Sequence, residues 1–437
     1  MNKQIIKTII SAKQQEIEGL ELLSRDNLFE DNSNYVLMGI RRSGKSYTLY
    51  QDILRHLTNG INKVEDILYV NFEDERIASI TSEELGDILT AYLEMYDQKH
   101  PLIYLDEIQN ITGWEKFARR LSESKYRVMI TGSNAKMLSR EIASSLGGSY
   151  ISRDIFPFSF EEYLLYHGIS LDKNWLYQPD TRLMVYRHFN EYFYYGGFAE
   201  SFDKVNKREW LTSLYQKILM GDIVERNKVR NPRVLRLLAR KLADSVMQPT
   251  TLKRLERIIK SSGDSISQTV LKDYLDYMED AYLIFSVPNL ISPLTEQQTI
   301  MKRYFADNGI LNIFLFNGET KLLENLVAVH LNRLYHNTKE ELRLFYYNKN
   351  VEVDFCVPEI NQAIQVSYTI DDAETYEREV GGLVKFLKAF KNYHGIIITW
   401  DTEKTIQEGS LSIEVLPVWK WLLAEGSYGD RRLGIYA

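Results

Sequence analysis

The sequence predicts an α/β protein that begins with a parallel sheet bearing helices on both faces. The first observation behind this prediction is that short apolar strands alternate with amphipathic helices between about residues 30 and 155. Such alternation is typical of parallel sheets, because each crossover helix returns the chain to the same end of the sheet. The second observation is the stretch GIRRSGKS at residues 39–46, where glycines and a lysine follow an apolar strand. It predicts a ligand-binding loop at the exit of the first strand.

The elements of this first domain, residues 1–158, follow from short apolar runs that stop at polar or glycine residues, as buried strands do. Five strands are expected: YVLM (35–38), DILYVNF (66–72), PLIYLDE (101–107), YRVMITGS (126–133) and SYISRDI (149–155). Helices are expected between them: from Lys45 to about Leu57, and at 82–96, 114–123 and 135–146.

The rest of the chain is expected to form three further parts. Residues 159–228 are predicted to be a helical lid or linker, rich in Tyr, Leu and Phe. Residues 229–300 show a helix-turn-helix pattern followed by the strand-like YLIFSVPNL, which predicts a winged-helix-like domain. Residues 301–437 predict a second α/β unit. Its expected elements are helices at 319–336 and 374–390 and the strands LRLFYYN, VEVDFCV, AIQVSYT and GIIITW.

Composition restricts the class of protein. The length of 437 residues suits two to three domains, and 44% hydrophobic with 26% charged residues describe a soluble globular protein. The formal net charge of −7 disfavours a protein that coats nucleic acid through its overall field, although a local basic patch stays open. The single cysteine, Cys356, excludes an internal disulfide and a cysteine-rich zinc site. Without a signal peptide or an apolar run of about 18 residues, we expect a cytoplasmic protein with no membrane partner.

The stretch at residues 39–46 matches G-x-x-x-x-G-K-[ST] in full. Backbone N–H groups of such a loop surround a β-phosphate, helped by the positive end of the following helix. Lys45 would neutralise the β- and γ-phosphates, and Ser46 would ligate Mg²⁺. The alternative, a glycine-rich turn with a chance lysine, is disfavoured by the strand and helix on either side. The expected binding residues are Gly39, Arg41, Arg42, Ser43, Gly44, Lys45, Ser46 and Tyr47.

Two acids follow the apolar strand LIYL. Asp106 and Glu107 come at the carboxyl end of a predicted parallel strand, which faces the crevice where ligands of doubly wound sheets bind. Asp106 would support the Mg²⁺ shell, and Glu107 would orient or deprotonate the attacking water. A surface acidic pair is the alternative, and the phosphate-binding loop upstream disfavours it.

Polar residues also follow the next predicted strand, in MITGSN. Thr131, Ser133 or Asn134 would contact a γ-phosphate between the metal and the water, with Ser133 and Asn134 as the expected ligand-binding pair. An ordinary turn explains the same residues equally well. The loop, the acids and this polar segment occur in the expected order, separated by complete strand–helix units.

The sequence resembles the AAA-type ATPases common in bacteria and archaea. The motifs that carry the resemblance extend over essentially the whole chain: GIRRSGKS, YLDEIQNITGWEKFARRL, ITGSNAKMLS, IFPFSFEEYL and EVLPVWKWLL. Those proteins carry a C-terminal, largely uncharacterised domain with a restriction-endonuclease-like fold. The resemblance implies ATP as the nucleotide and an extra strand between the phosphate-loop strand and the acidic strand.

The family usually shows a glycine–arginine pair after the sensor helix, whose arginine is a candidate contact to phosphate. Here the matching stretch is SLGGSY, with Ser149 in the place of that arginine. Arg140 or Arg153 would be the substitutes. Catalysis by an arginine at this position therefore stays an open point.

The resemblance also implies a nuclease-like site in residues 301–437. Glu324 matches the helix acid of such folds and Asp354 the strand acid, whereas Gln365 and Ser367 stand where the pattern has glutamate and lysine. A serine cannot replace the charge of an ammonium group, so we expect a scaffold that has lost its chemistry. Capping or solvated acids are an equal alternative for Glu324 and Asp354. Lys349 or Lys385 filling the gap would keep the nuclease active.

Charge also bears on the helix-turn-helix. The would-be reading helix, 268–281, holds four acids against Lys272, which DNA phosphates would repel, so protein packing is favoured there. The segment 223–242 instead has seven Lys or Arg against one Glu, with Arg233, Arg236 and Arg240 on one helical face. A solvated face explains these arginines, and a contact with nucleic acid or with a γ-phosphate is the alternative.

The expected function is that of an ATP-binding protein that hydrolyses ATP slowly with Mg²⁺. Its nucleotide state would alter docking to the winged-helix and nuclease-like modules. The expected partners are ATP and an unidentified protein or a second copy of the chain, with nucleic acid left open. A switch that holds ATP without turnover and an ATP-regulated DNA or RNA nuclease are the alternatives.

Overall fold

The structure is a computed structural model that describes residues 3–25, 29–97, 100–134, 146–293, 300–337 and 341–424. The expected helix at 135–146, with Arg140, lies outside these residues except for Leu146. Contacts divide the chain into two compact units. The first unit comprises residues 1–157 with 280–282, and the second comprises residues 158–279 with 283–437.

The first unit contains a parallel five-stranded sheet with helices on both faces, as expected from the sequence. Its elements are α1 (Lys3–Glu18), β1 (Asn34–Met38), α2 (Lys45–Thr58), β2 (Ile67–Asn71), α3 (Gly86–Leu93), β3 (Leu102–Asp106), α4 (Glu115–Glu123), β4 (Val128–Gly132) and β5 (Tyr150–Asp154). The strand order is β2-β3-β4-β1-β5, and every neighbouring pair is parallel. Strand β4 therefore lies between β1 and β3, as the resemblance implied.

The sheet is buried on both faces, which explains its continuous apolar strands. In β1, Val36 and Met38 pack into one core cluster, and Tyr35 and Leu37 pack into the other. Helix α2 covers the second of these faces, while α1, α3 and α4 contribute to the first. Helix α1 was not predicted from the sequence, and α3 is shorter than the expected helix at 82–96.

The second unit contains two further sheets. Its elements are α5 (Phe160–Tyr166), α6 (Pro179–Tyr195), α7 (Lys207–Lys217), a π-helix (Ile218–Glu225), α8 (Pro232–Asp244), β6 (Thr250–Thr251), α9 (Leu252–Ser261), α10 (Gln268–Asp280), β7 (Ile284–Pro288), β8 (Ile300–Phe305), α11 (Asn308–Asn312), α12 (Glu319–Leu334), β9 (Phe345–Asn348), β10 (Glu352–Val357), β11 (Gln362–Val366), α13 (Ala373–Ala389), β12 (His394–Thr399), β13 (Lys404–Glu408), β14 (Leu411–Pro417) and α14 (Val418–Trp421). Short 3-10 turns occur in both units, at Val64–Asp66, Glu75–Ile77, Ile108–Asn110, Trp175–Tyr177, Ala199–Ser201 and Pro358–Ile360.

The smaller of these sheets is antiparallel, in the order β6-β8-β7. Because β8 pairs with both β6 and β7, this sheet continues across position 300, where the third and fourth expected parts of the chain meet. The larger sheet has the order β13-β14-β12-β11-β10-β9 and is mixed. Helix α13 packs on its strands β10 to β12, and Cys356 of β10 is fully buried. The hairpin β13–β14 was not predicted.

In the part of the chain that the structure describes, no helix combines the length and hydropathy that crossing a bilayer requires.

Candidate functional site

The loop between β1 and α2 has a backbone that requires glycine at defined positions. Gly39 has φ +148°, and a β-carbon added there would lie 2.1 Å from the carbonyl oxygen of Ile155. Gly44, directly before α2, has φ +99°, and Arg42 between the two glycines has φ +65°. Left-handed residues at these points turn the chain sharply and bring its amides toward one another. The sequence motif is thus folded as a curled loop at the amino terminus of a 14-residue helix.

Polar groups converge on this loop. Lys45 is buried, and its ammonium donates to the carbonyl oxygens of Gly39, at 3.1 Å, and Ile40, at 3.2 Å. The Oγ of Ser43 is buried without a hydrogen-bond partner among the described residues. A helix amino terminus, a buried ammonium and an unsatisfied hydroxyl form a donor set that suits a phosphate group. The donor groups of this loop therefore fit the phosphates of a nucleoside triphosphate.

Asp106 ends β3 and is fully buried. Its carboxylate accepts hydrogen bonds from Tyr69 Oη at 2.5 Å and from Thr131 Oγ1, and the hydroxyl of Ser46 lies near enough to lower its pKa. Burial and the charge of Glu107 raise the pKa of Asp106, against the effect of these three hydroxyls. The contact between Asp106 and Ser46 places a hydroxyl and a carboxylate together, as a magnesium ion held mainly by nucleotide phosphates requires.

Glu107 adopts a left-handed backbone, with φ +55°, directly after β3. Its N–H donates to Thr131 Oγ1 at 2.8 Å, and its carboxylate accepts from Gln109 and lies 3.6 Å from the Lys45 ammonium. Burial opposes ionisation, but Lys45, Gln109 and Arg41 hold the pKa of Glu107 below its usual range. The side chain is therefore a carboxylate at neutral pH and can accept a proton.

Of the residues after β4, Ser133 is buried and its Oγ accepts from Gln109 Nε2 at 3.4 Å. Gln109 thus links Ser133 to Glu107, a connection that the sequence did not indicate. Thr131 lies within β4, where its hydroxyl contacts both acids. Asn134 follows the strand and is half-buried.

The remaining predicted site residues lie at the rim of the loop. Arg41 pairs with Glu73, which follows β2, at 2.9 Å. Arg42 is exposed, and Tyr47 is 56% exposed in the first turn of α2. Arg153, a proposed substitute for the missing arginine, is exposed on β5. The roles assigned to these residues from the sequence stay predictions.

Arg25 is a contributor that sequence reasoning missed. Its side chain is buried, and its guanidinium donates to the carbonyl oxygens of Ser43, at 3.2 Å, and Phe156, at 3.0 Å. Gln51 of α2 bonds both the N–H and the carbonyl of Arg25 and so fixes its backbone. In a trans peptide the carbonyl and the next N–H point in opposite directions. Arg25 therefore orients the Gly44 N–H away from itself and leaves it available to an anion.

Replacing Arg25 by Ala is expected to weaken ATP binding about three- to tenfold, because a hydrogen bond that orients the loop is worth about 1 kcal/mol. Calorimetric titration with Mg-ATP measures the effect, and Arg25→Lys should recover part of the affinity. Arg119→Ala, on the exposed face of α4, is the control and should bind as the parent does. An unchanged Kd in folded Arg25→Ala would contradict this role.

A second set of charges lies in the second unit around Lys302 of β8, which is fully buried. Its ammonium contacts Asp354 Oδ1 at 2.9 Å, Glu352 Oε1 at 3.0 Å and Glu324 Oε1 at 3.3 Å. Tyr304 Oη donates to the same oxygen of Glu324 at 2.7 Å. The structure thus brings Glu324 and Asp354 together around a lysine that the sequence did not indicate.

The other members of the expected nuclease-like site do not contact Lys302. Gln365 adjoins Asp354, because its amide oxygen accepts from the Asp354 N–H at 3.4 Å while its amide nitrogen donates to Glu379 of α13. Ser367 donates to the carbonyl of Thr369 at 2.7 Å. Lys349 is exposed after β9, and Lys385 is exposed on α13, where it lies 3.8 Å from Glu377. Neither lysine lies with the acids, so their positions do not support the alternative in which Lys349 or Lys385 fills the gap.

The acids of this cluster keep the side chain of Lys302 protonated. Burial opposes the charge of Lys302, but Asp354 and Glu324 more than offset it and hold the pKa of Lys302 well above its usual range. Burial and Asp354 raise the pKa of Glu324. Lys302 thus occupies the space between the acids. Across the described ranges, no group of three or more His, Cys, Asp and Glu residues is arranged to hold a metal ion.

Comparison with known proteins identifies matches over most of the chain. A family model described as an AAA domain matches residues 31–164, and one described as a domain of unknown function, DUF8612, matches residues 186–321. The uncharacterized protein MJ1544 of Methanocaldococcus jannaschii is 35% identical over 405 residues, which cover 90% of this chain and 88% of the relative. An uncharacterized protein of Haemophilus influenzae is 30% identical over 422 residues, 92% of this chain and 99% of the relative.

Solved structures also match. The Walker-type ATPase PABY2304 of Pyrococcus abyssi gives a TM-score of 0.36 at 14% identity, covering 70% of this chain and 94% of its own. The Aeropyrum pernix Orc1 protein in complex with DNA gives a TM-score of 0.28 at 14% identity, covering 75% and 93%.

The AAA-domain match covers the curled loop, both acids and the polar segment after β4. The AAA part of the resemblance is therefore confirmed. The restriction-endonuclease-like assignment of residues 301–437 stays a prediction.

Proposed function

The chain belongs to the same family as the uncharacterized M. jannaschii and H. influenzae proteins, and from this premise we propose that it is a magnesium-dependent ATPase. One observation carries the proposal. The Lys45 ammonium lies 3.6 Å from the Glu107 carboxylate, while the adjacent Ser46 hydroxyl lies near the Asp106 carboxylate and lowers its pKa. A phosphate-binding cation, a metal-binding pair and a base thus converge at the carboxyl end of the sheet, where ligands of such folds bind.

Each of these residues has a distinct role in the proposed reaction. Lys45 and the loop amides would bind the β- and γ-phosphates, and Ser46 with Asp106 would hold Mg²⁺. Bound Mg²⁺ supplies neutralisation of the charge that develops on the phosphates. Glu107 would orient the attacking water and take its proton, since its carboxylate is ionised and fixed by Gln109.

Polar groups after β4 would complete the site. Ser133 and Asn134 would contact a γ-phosphate, and their position directly after the strand that adjoins β3 supports this role. The Thr131 hydroxyl donates to Asp106 and accepts from the Glu107 N–H, so it would keep the metal-binding acid and the base in a fixed relation. Thr131 would thus act in positioning, and contact with phosphate is left to Ser133 and Asn134.

The second unit would respond to the nucleotide state. The order α8, β6, α9, α10, β7, β8 with its small antiparallel sheet supports a winged-helix-like module. The mixed sheet with α12 and α13 supports a nuclease-like scaffold without its chemistry, because Lys302 already neutralises the acids that would hold a metal. We therefore do not favour the nuclease alternative. The proposed partner is an unidentified protein or a second copy of the chain.

Lys45→Ala is expected to weaken Mg-ATP binding by about ten- to a hundredfold, since hydrogen bonds to a charged group are worth about 1.5–3 kcal/mol. Calorimetric titration of the folded variant measures the loss. Lys116→Ala removes an exposed lysine from the same unit and should leave the Kd unchanged. Equal Kd values for Lys45→Ala and its parent, with either Mg-ATP or Mg-GTP, would refute the nucleotide site.

A further inference from the structure

Helices α8 and α9 each present a row of exposed cations. We call this surface the basic ridge: Arg233, Arg236 and Arg240 on α8, and Lys253, Arg254, Arg257 and Lys260 on α9. The basic ridge has seven exposed cations on two short helices, although the whole chain has a net charge of −7. A local positive field of this kind attracts a polyanion even when the protein as a whole is acidic.

Two contacts show that the helices of the ridge run antiparallel. At the start of α8, Arg233 Nε lies 3.5 Å from the carboxylate of Asp264, which follows α9. At the start of α9, Arg254 Nη2 donates to Gln248 Oε1, which follows α8, at 3.2 Å. Each end of one helix therefore adjoins the opposite end of the other. The two rows of cations lie beside each other on neighbouring helices.

Both rows lie on helices that are packed on their opposite faces and capped at their starts. The opposite face of α8 is buried through residues such as Leu235, Leu238 and Leu242, and that of α9 through Leu255 and Ile259. The helices begin at side-chain caps. Asn231 Oδ1 accepts from the Val234 N–H at 3.2 Å, and Thr251 Oγ1 accepts from the Arg254 N–H at 3.1 Å. Packing and capping thus stabilise the helices from which the charged side chains extend.

Some of these charges are used within the protein. Besides the Arg254 contact, Lys260 pairs with Glu256 at 2.6 Å, and Arg236 Nη2 lies 3.4 Å from the sulfur of Met220. Arg233 contacts Asp264 but keeps 79% of its side chain exposed. Within the described residues, Arg240 and Arg257 make no hydrogen bond or ion pair. A row whose only purpose is solubility would usually alternate the two signs along a helix face. On α8 the exposed row has one sign from Arg233 to Arg240, and the exposed Asp244 at the end of the helix pairs with Lys241.

The spacing of the rows suits a regular polyanion. At 1.5 Å per residue, Arg233 to Arg240 and Lys253 to Lys260 each extend over about 10 Å. Duplex nucleic acid carries one phosphate charge per about 1.7 Å of its axis, so each row can meet several phosphates at once. The sequences of α8 and α9 contain no Phe, Tyr or Trp, the residues on which single-stranded bases stack. The absence of stacking residues favours a duplex.

We propose that the basic ridge binds the phosphate backbone of double-stranded nucleic acid, without reading its bases. Helix α10, the second helix of the helix-turn-helix, carries Asp273, Asp276 and Glu279 and would be repelled by phosphates. The duplex therefore lies along α8 and α9, and α10 does not enter a groove. This proposal does not depend on the proposed ATPase activity.

The test is fluorescence anisotropy of a labelled duplex of about 25 base pairs, titrated with the full chain between about 50 and 200 mM salt and without nucleotide. The ridge variant combines Arg236→Ala, Arg240→Ala and Arg257→Ala. It is expected to lose at least about tenfold in affinity at the lower salt concentration. The slope of log K against log salt should become shallower by about 2–3, because each lost phosphate contact removes about 0.9.

A matched variant with three exposed lysines replaced, Lys385→Ala, Lys388→Ala and Lys391→Ala on and after α13, should bind as the parent does. Thermal unfolding of both variants checks that they fold.

The proposal is overturned if the parent shows no binding at the lower salt concentration, or if the lysine variant loses as much affinity as the ridge variant. Lys272→Ala weakening binding equally would assign the contact to α10 instead. Preference for an unlabelled single strand, for anionic vesicles or for polyglutamate over the duplex would also overturn it.

Discussion

Glu107→Gln is expected to lower the steady-state rate of phosphate release by about 10²- to 10⁴-fold, the usual contribution of a general base. The substitution is nearly isosteric, and the new side chain retains an amide oxygen that can accept from Gln109 as the carboxylate does. Affinity for Mg-ATP should therefore change by only a few fold. Release of inorganic phosphate at saturating ATP gives the turnover rate, and its dependence on the ATP concentration gives the affinity.

Glu123→Gln is the matched control, because Glu123 is an exposed acid at the end of α4 that pairs with Arg119. It should turn over at the parental rate. If the parent and Glu107→Gln release phosphate at the same near-zero rate while both bind Mg-ATP, the chain is a switch that holds ATP without hydrolysis. The serine at position 149, where the resemblance implies an arginine, is the feature that favours that alternative.

Asp354→Asn is expected to destabilise the second unit by about 1.5–3 kcal/mol, the contribution of a hydrogen bond to a charged group. The substitution removes the negative partner that lies nearest to the Lys302 ammonium, while Glu352 and Glu324 remain in contact with it. Denaturant unfolding followed by circular dichroism measures the shift in midpoint. Lys302→Met should be similarly costly, because it leaves Glu324 and Asp354 as neighbouring buried acids.

A double variant tests whether the loss of stability comes from the ion pair between Lys302 and Asp354 or from a change in packing. Replacing Lys302 by Met together with Asp354 by Leu removes both charges, so it should recover a large part of the stability that either single substitution loses. Glu377→Gln, which removes an exposed partner of Lys385, serves as control and should shift the free energy of unfolding by less than about 0.5 kcal/mol. A loss below about 1 kcal/mol in Asp354→Asn would contradict a buried charge cluster.

The parallel sheet and its loop were predictable because their signals are local. Residues 39–46 form one continuous motif, and each strand of the first unit is a short apolar run between polar stops. Asp106 and Glu107 could be placed because parallel strands end at one edge of a sheet. Helix α1 is not among the predicted elements, although its buried isoleucines recur at helical spacing, which is a local signal of the same kind.

The charge cluster around Lys302 and the residues that support the loop and Asp106 could not be predicted, because they depend on contacts between residues that are distant in sequence. Lys302, Glu324 and Asp354 come from two strands and a helix, and nothing near Lys302 in the sequence indicates that it is buried among acids. Arg25 reaches the loop from a segment outside the motif, and Tyr69 contacts Asp106 from a neighbouring strand. A lysine or tyrosine inside an apolar strand is a weak signal for such a partner. It does not say which residue the partner is.

The single cysteine of the chain has a practical consequence. Cys356 lies fully buried in β10, two residues from Asp354, and burial raises the pKa of its thiol. A thiol-reactive dye can therefore label the native protein only when β10 separates from its neighbours. The labelling rate then reports the opening equilibrium of the six-stranded sheet without any engineered probe, and ATP or duplex added to the same reaction would show directly whether either ligand tightens it.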